Sequence, residues 1–287
     1  MRELIIRIIS LILILLDANY NKLLINTKIP AITNSSNYSD FTIYRTSNTR
    51  LVNKKMYDNS YHRWIELNNN ISMIWYDDSD MDDYMKKQDK DIYLAYQRLL
   101  PGAFKGDLFR LCILYEQGGI YVDDQTLPYV SIDEMLYGCI DKSNSHYFVS
   151  VLDTNQSGRG IHNGFICCSP KHPFIKKCIE LIIINVDRKR YTMSPLTITG
   201  PLCLSKAINT MLGRKNYDKF IEGKNEYGEM SFYLYSLSYG PFQYIYKNNK
   251  IIMSKKHCLL SCFLSKIKST SYRNMWLNNK VYDLKFY

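Results

Sequence analysis

The chain has no C-x-x-C pair, and its eight cysteines, at positions 112, 139, 167, 168, 178, 203, 258 and 262, follow no zinc-module spacing. Several lie in apolar runs, where cysteine acts as a small hydrophobe. They are expected to be mostly reduced and buried, in a reducing, cytoplasmic compartment. Glycine (13) and proline (8) are too sparse among 287 residues for a collagen-like or linker-like chain. Uninterrupted apolar runs of about 20 residues, the length a membrane-crossing helix needs, are also missing. The nearest approach is residues 4–16, broken by Arg7 and Ser10 and closed by Asp17 and Asn19. With no small-x-small cleavage pattern, it reads as a buried helix or strand. A membrane association through the N-terminus is the alternative. Residues 179–186 are apolar but short and flanked by charge.

Hydrophobic residues make up 46% of the chain, enough to offset the entropy of ordering it, which excludes disorder throughout. The formal charge is +10, from 37 basic and 27 acidic side chains. Net charge bears on partners rather than on fold. The basic residues are dispersed in short runs, Lys54-Lys55, Lys86-Lys87 and Arg188-Lys189-Arg190. They make a solvated basic surface. Without a dense basic tract or a recognised module, nucleic acid is not the expected partner. The 25 tyrosines serve largely as packing groups with a polar handle.

The first 60 residues show weak periodicity and are left unassigned. Residues 71–76 read as a short strand. The acids that follow, Asp77, Asp78, Asp80, Asp82 and Asp83, suit the start of a helix over residues 81–87. A helix over 90–100 is broken by Pro101 and Gly102. Residues 103–117 carry an apolar helical face, ended by Gly118-Gly119, and residues 120–122 form a strand. Asp123-Asp124-Gln125 stand at its tip. Further helices are expected over 173–185 and 201–212, a strand over 164–168, and Tyr-rich strands over 231–253. With no internal repeat or linker, the chain reads as one α/β domain over residues 1–287, with its best-supported core at 60–212.

Ligands of α/β sheets bind beyond the carboxyl ends of strands. Asp107 and Arg110 share a helix face, so they form either an exposed intrahelical pair or part of a polar site at that sheet edge. At the strand tip, alternation puts Asp123 and Gln125 on one side and Asp124 on the other. Two oxygen ligands near a diphosphate suit Mg²⁺ or Mn²⁺, which would neutralise charge on a leaving diphosphate. Capping or solvation is the plainer reading of such an acidic pair. His162, beside Asn163, either faces an acceptor or is a structural histidine. His62, His146, His172 and His257 show no ligand spacing. Asn34-Ser35-Ser36 and Asn37-Tyr38-Ser39 match glycosylation acceptors, a pattern that chance supplies in an Asn-rich chain.

The run DLFRLCILYEQGGIYVDDQ at 107–125 resembles the central motif of the DXD-containing glycosyltransferases related to yeast α-mannosyltransferases, family 32. It is more loosely similar to the clostridial glucosylating toxins. The segments at 64–78 (WIELNNNISMIWYDD), 161–174 (IHNGFICCSPKHPF) and 199–201 (TGP) resemble further family features. The likeness covers roughly residues 60–212. It implies a GT-A fold, a Rossmann-like mixed sheet flanked by helices. It also implies a UDP- or GDP-linked sugar donor, a glycan or glycoprotein acceptor, Mn²⁺ or Mg²⁺, and transfer with retention. By resemblance, Asp107 and Arg110 hold the donor sugar and its phosphate, and Asn163 lies near the reacting sugar. Tyr121, Gly118 and Gly119 shape the donor site. Asp123, with Asp124 and Gln125, forms the metal motif.

This chain departs from the family pattern at Gln125, where the last acid of Asp-x-Asp is expected. A neutral amide is a poorer divalent-metal ligand, so a catalytically inactive sugar-nucleotide or glycan-binding protein of the same fold is the alternative. Ile29-Pro30-Ala31-Ile32 only faintly echoes the family's N-terminal segment, and Met275-Trp276 takes no role by resemblance. The Ile-, Asn-, Lys- and Tyr-rich composition fits an AT-rich genome, which together with the resemblance points to a large DNA virus.

Overall fold

The computed structural model describes residues 22–24, 28–29, 41–49, 51–53, 60–68, 71–140, 145–153, 156–227, 230–238, 242–256 and 271–287. The apolar segment 4–16, both acceptor patterns near residue 35, His257, Cys258 and Cys262 lie outside them. The six described cysteines are free, and five of these are buried.

The strands run in chain order as β1 (Lys22–Leu24), β2 (Lys28–Ile29), β3 (Thr42–Thr46), β4 (Leu51–Asn53), β5 (Ser72–Tyr76), β6 (Gly119–Val122) and β7 (Thr126–Pro128). Next come β8 (Phe148–Asp153), β9 (Gly160–Cys168), β10 (Gly223–Tyr227), β11 (Met230–Ser238), β12 (Phe242–Lys247) and β13 (Lys250–Lys256). The helices are α1 (His62–Leu67), α2 (Asp78–Met85), α3 (Lys90–Arg98), α4 (Gly102–Gln117), α5 (Ile132–Leu136), α6 (Pro173–Asp187), α7 (Pro201–Met211) and α8 (Tyr272–Leu277). Strands β1 and β4 pair apart from the rest. The others form one eleven-stranded mixed sheet among the described residues, in the order β2-β5-β3-β6-β9-β8-β11-β12-β13-β7, with β10 also on β11. This is the expected mixed α/β architecture, a sheet flanked by helices.

The parallel core is β5-β3-β6, with β3 in the centre. The chain leaves β3 for β5 on one side and returns to β6 on the other. Such a reversal opens a crevice at the carboxyl ends of the strands, which here are Thr46 and Val122. The central strand was not legible in the weakly periodic first 60 residues. Ile29 closes the two-residue edge strand β2, antiparallel to β5.

Alternation along the strands builds two cores. Tyr44, Tyr121, Ile166 and Cys168 pack towards α4, α6 and α7. Ile43, Ile120, Val122, Phe165 and Cys167 pack on the opposite face with Trp64, Trp75 and α5. Strand β6, parallel to β3 and antiparallel to β9, is buried on both faces, as an interior strand of a sheet covered on both sides should be. Helix α4 buries Phe104, Leu108, Phe109, Leu111, Cys112, Ile113 and Leu114, so it is covered nearly all round rather than along one stripe. Helix α2 starts at Asp78, earlier than expected, because Asp77 and Asp80 form a reciprocal capping box.

Two junctions aim the site. Gly118 (φ 64°) and Gly119 (φ 92°) turn α4 into β6. A Cβ on Gly119 would lie 2.7 Å from the Thr42 carbonyl oxygen, so the pairing of β3 with β6 needs glycine there. The β12–β13 hairpin turns at Asn248 (φ 49°) and Asn249 (φ 64°), the positive-φ pair that a two-residue hairpin loop uses. It brings β13 back beside β7, with Lys255 opposite Thr126.

Gly119→Ala is expected to cost about 3 kcal/mol, combining left-handed strain with backbone collision. Urea unfolding reads this, and a loss below about 0.5 kcal/mol would show that the strand contact adjusts freely.

Candidate functional site

Tyr121 and Asp123 are two apart across the end of β6, so both project towards α4. Arg110 on α4 meets them. Its guanidinium carbon lies 4.3 Å from the Tyr121 ring centre, and its Nη1 is 3.2 Å from Asp123 Oδ1. The same nitrogen donates to the Asn163 carbonyl at 2.7 Å, and Arg110 Nε donates to the Gly106 carbonyl at 3.2 Å. Arg110 Nη2 lies 3.5 Å from Asp107 Oδ1. The i,i+3 pair is therefore largely buried, with side-chain exposures of 10% and 13%, and belongs to a polar site rather than to the surface.

Asp107 is held from two further elements. Asn163 Nδ2 donates to its Oδ1 at 2.7 Å, and Thr199 Oγ1 donates to its Oδ2 at 2.7 Å. Burial raises the Asp107 carboxyl pKa, against the pull of Arg110 and these two donors. At Asp123 burial also acts upward, but Lys255 and Arg110 overcome it and hold the carboxyl well below the usual carboxylate range. Lys255 Nζ forms a contact ion pair with Asp123 Oδ2. Both Asp123 oxygens thus face a cation.

Asn163 reaches Asp107 because β9 bulges. The register with β8 shifts between Val149 and Val151, and the buried Ser150 hydroxyl is 3.0 Å from the His162 carbonyl oxygen and 2.9 Å from that of Phe165. Bulges re-aim side chains in this way beside functional sites. Gly164 sits within the bulge, where a Cβ would stand 2.5 Å from Asp123 Oδ2 and 2.5 Å from His162 Cε1.

Under the site, the turn after β6 closes with Thr126 N donating to the Asp123 carbonyl at 3.1 Å. Arg45, fully buried on β3, donates to the Asp123 carbonyl at 3.3 Å and also to the Asp124 carbonyl. Ser60 Oγ donates to the Thr126 carbonyl at 2.8 Å, and Trp64 Nε1 to the same oxygen at 3.0 Å. Burial lowers the Arg45 pKa to about 10, against the attraction of Asp124. Burial likewise raises the Asp124 carboxyl, with Arg45 opposing.

A cavity of about 420 Å³ opens over these groups. Asp107, Arg110, Asp123, His162, Asn163 and Lys255 form its polar wall, and Phe104, Pro195, Leu196, Pro201 and Tyr272 an apolar one. Gly118, Gly119 and Tyr121, expected at the donor, do not line it. The glycines set the α4–β6 turn, and Tyr121, 1% exposed, carries Arg110 and meets Thr46 Oγ1 at 2.7 Å. Sequence reasoning missed Lys255 and the cavity positions Asp153, Gln243 and Tyr272. Lys255 lies more than 130 positions from Asp123, and only the missing acid at 125 hinted that charge at the tip is balanced otherwise. Thr199 stood in the TGP segment.

The expected metal ligands Asp123, Asp124 and Gln125 do not fit a divalent ion as they stand. Ammonium and guanidinium groups take both Asp123 oxygens, and position 125 offers a neutral amide. Among the described residues, no three His, Cys, Asp or Glu side chains group to hold a metal.

Residues 50–146, about a third of the chain, match the model of a family described as glycosyltransferase sugar-binding region containing DXD motif. This supports a DXD-type glycosyltransferase region around Asp107, Arg110 and Asp123. The chain is also similar to the O-glycosyltransferase braB of Annulohypoxylon truncatum, with 29% identity over 82 residues, 28% of this chain. It spans only about a fifth of the length of that curated relative (20%). Among solved structures, the PaToxG glycosyltransferase aligns with a TM-score of 0.45 and 15% identity over 65% of this chain and 71% of that one. The UDP-bound glycosyltransferase domain of the YGT toxin aligns with a TM-score of 0.27 and 14% identity over 53% and 42%. Both structural likenesses are too slight to carry a functional reading.

His162 accepts from Gly164 N at 3.1 Å through Nδ1, so its proton sits on Nε2. Burial, Lys255 and Arg110 push its pKa down to about 4, against the pull of Asp123. The unfolded chain therefore binds a proton at this position that the folded chain refuses between about pH 6.5 and pH 4. Stability is full above that window and falls as pH drops through it. Buried His172, pushed down to about 3 by burial and by His146, acts in the same direction. His162→Gln is expected to flatten, but not abolish, the loss of urea stability across the window. An unchanged slope would place the titration elsewhere.

Proposed function

We propose that this chain is a nucleotide-sugar-dependent glycosyltransferase of GT-A type, moving a hexose from a UDP- or GDP-linked donor to a glycan or glycoprotein acceptor. The observation that carries this reading is the convergence of Asp107, Arg110, Asp123 and Asn163 on one cavity at the carboxyl end of β6. Three of these four residues lie within the segment that matches the DXD family. The topological reversal at β3 supports a nucleotide in the crevice beyond β3 and β6. Free buried cysteines support a reducing, cytoplasmic setting.

In the reaction, the bond from the anomeric carbon to the diphosphate oxygen breaks, and its electron pair leaves with the nucleoside diphosphate. The acceptor hydroxyl oxygen bonds to the anomeric carbon, and its proton passes to the leaving phosphate oxygen. Such chemistry needs positioning and charge stabilisation rather than a protein nucleophile. Arg110 is the fixed cation for the donor phosphate, anchored on Tyr121 and Asp123. Asp107, oriented by Asn163 and Thr199, keeps acceptor lone pairs for sugar hydroxyls. Asp123 faces the ribose side. The apolar wall of Phe104, Pro195, Leu196 and Tyr272 suits the face of an acceptor sugar ring. Transfer with retention is supported by the resemblance of the 107–125 motif. Gln125, in place of an acid, favours the second reading, a binding protein that does not turn over its donor.

A donor screen by mass spectrometry, with Mn²⁺ and with EDTA, separates these readings. Hydrolysis of one donor is expected, and Asp123→Asn should lower it by about 100-fold or more with the fold preserved by circular dichroism. Binding without turnover under every condition would favour the second reading. Full turnover by Asp123→Asn would overturn the site assignment.

A further inference from the structure

We propose that Lys255 is the cation on which the donor diphosphate is bound, in the place that a divalent metal ion takes on an Asp-x-Asp motif. This rests on the glycosyltransferase reading and goes beyond it in naming the group that replaces the metal.

Four observations converge. Lys255 Nζ pairs with Asp123 Oδ2, while Arg110 holds Oδ1 at 3.2 Å, so an incoming ion would have to displace a protein cation from the first acid of the motif. Position 125 carries an amide where the second acid is expected. The carbonyls of Asp123 and Asp124 are turned down onto Arg45, away from a ligand-binding role. Finally, Lys255 lines the cavity, and its side chain is 29% exposed.

The fold also fixes this lysine. It sits near the end of β13, paired with Thr126 of β7 on one side and Gln243 of β12 on the other. Thr126 ends the turn that begins at Asp123. The strand pairing that shapes the acidic turn therefore also sets the height of the ammonium above it. Together Lys255 and Arg110 present two positive charges, the same as one divalent ion, and a lysine is a compact phosphate-binding point charge. Asp123 then holds the lysine rather than a metal.

Isothermal titration of the full chain with UDP and with GDP, each in EDTA and in Mn²⁺, tests this. One nucleotide is expected to bind in EDTA, with an affinity that Mn²⁺ changes by less than about threefold. Lys255→Met should weaken that binding by about tenfold or more, while Lys255→Arg, which keeps the charge, should largely retain it. Thermal melting checks that both variants fold. The comparison of EDTA with Mn²⁺ on the unaltered chain stands even if they do not. Binding that requires Mn²⁺, or unchanged binding by a folded Lys255→Met, would overturn the role of Lys255 and leave the glycosyltransferase reading intact. Binding of neither nucleotide in either buffer would overturn both.

Discussion

The site depends on one buried ion pair, Arg110 with Asp123. It joins the helix before β6 to the residue just beyond that strand, and it draws the Asn163 carbonyl of the β9 bulge to the same guanidinium. Buried ion pairs add little net stability once desolvation is counted. Their effect here is positional, because removing either partner leaves a charge in a confined space. Everything else around the cavity is arranged on this pair. Tyr121 lies under Arg110, Asp107 and Asn163 close the ring, and Lys255 completes the shell of Asp123.

A second layer beneath keeps the pair in register. Arg45, Ser60 and Trp64 bind the backbone carbonyls of residues 123, 124 and 126, so the turn cannot rotate to offer those oxygens upward. The lower layer thus decides what the upper one presents, which is side chains rather than carbonyls. The bulge at Ser150 does the same for β9, and Gly164 leaves the space into which Asp123 and His162 fit.

Much of this was legible in the sequence where signals were local. The α4 face, the double glycine, strand β6 and the capping acids of α2 are written in contiguous residues, and Asp107, Arg110, Asp123 and Asn163 do converge. What escaped depends on distance along the chain. Strand β3 is only five residues long and carries Arg45 at a position where alternation predicts an apolar group, so the sequence left it unassigned. Lys255 is an ordinary lysine of a strand near a hairpin until β13 pairs with β7. Gly118, Gly119 and Tyr121, expected to shape the donor site, stand behind the cavity wall, the glycines setting the α4–β6 turn and Tyr121 packing under Arg110. The net charge of +10 was also a poor guide. The cavity is lined by three carboxylates, Asp107, Asp123 and Asp153, and two cations, Arg110 and Lys255, so on a basic chain its own balance is slightly acidic.

The most direct test is a crystal structure of the chain grown with UDP or GDP in EDTA. The account predicts the diphosphate inside the cavity, within hydrogen-bond distance of Arg110 or Lys255, with the nucleoside over the carboxyl ends of β3 and β6. A nucleotide bound elsewhere on the chain, with the Arg110–Asp123 cavity empty, would contradict it.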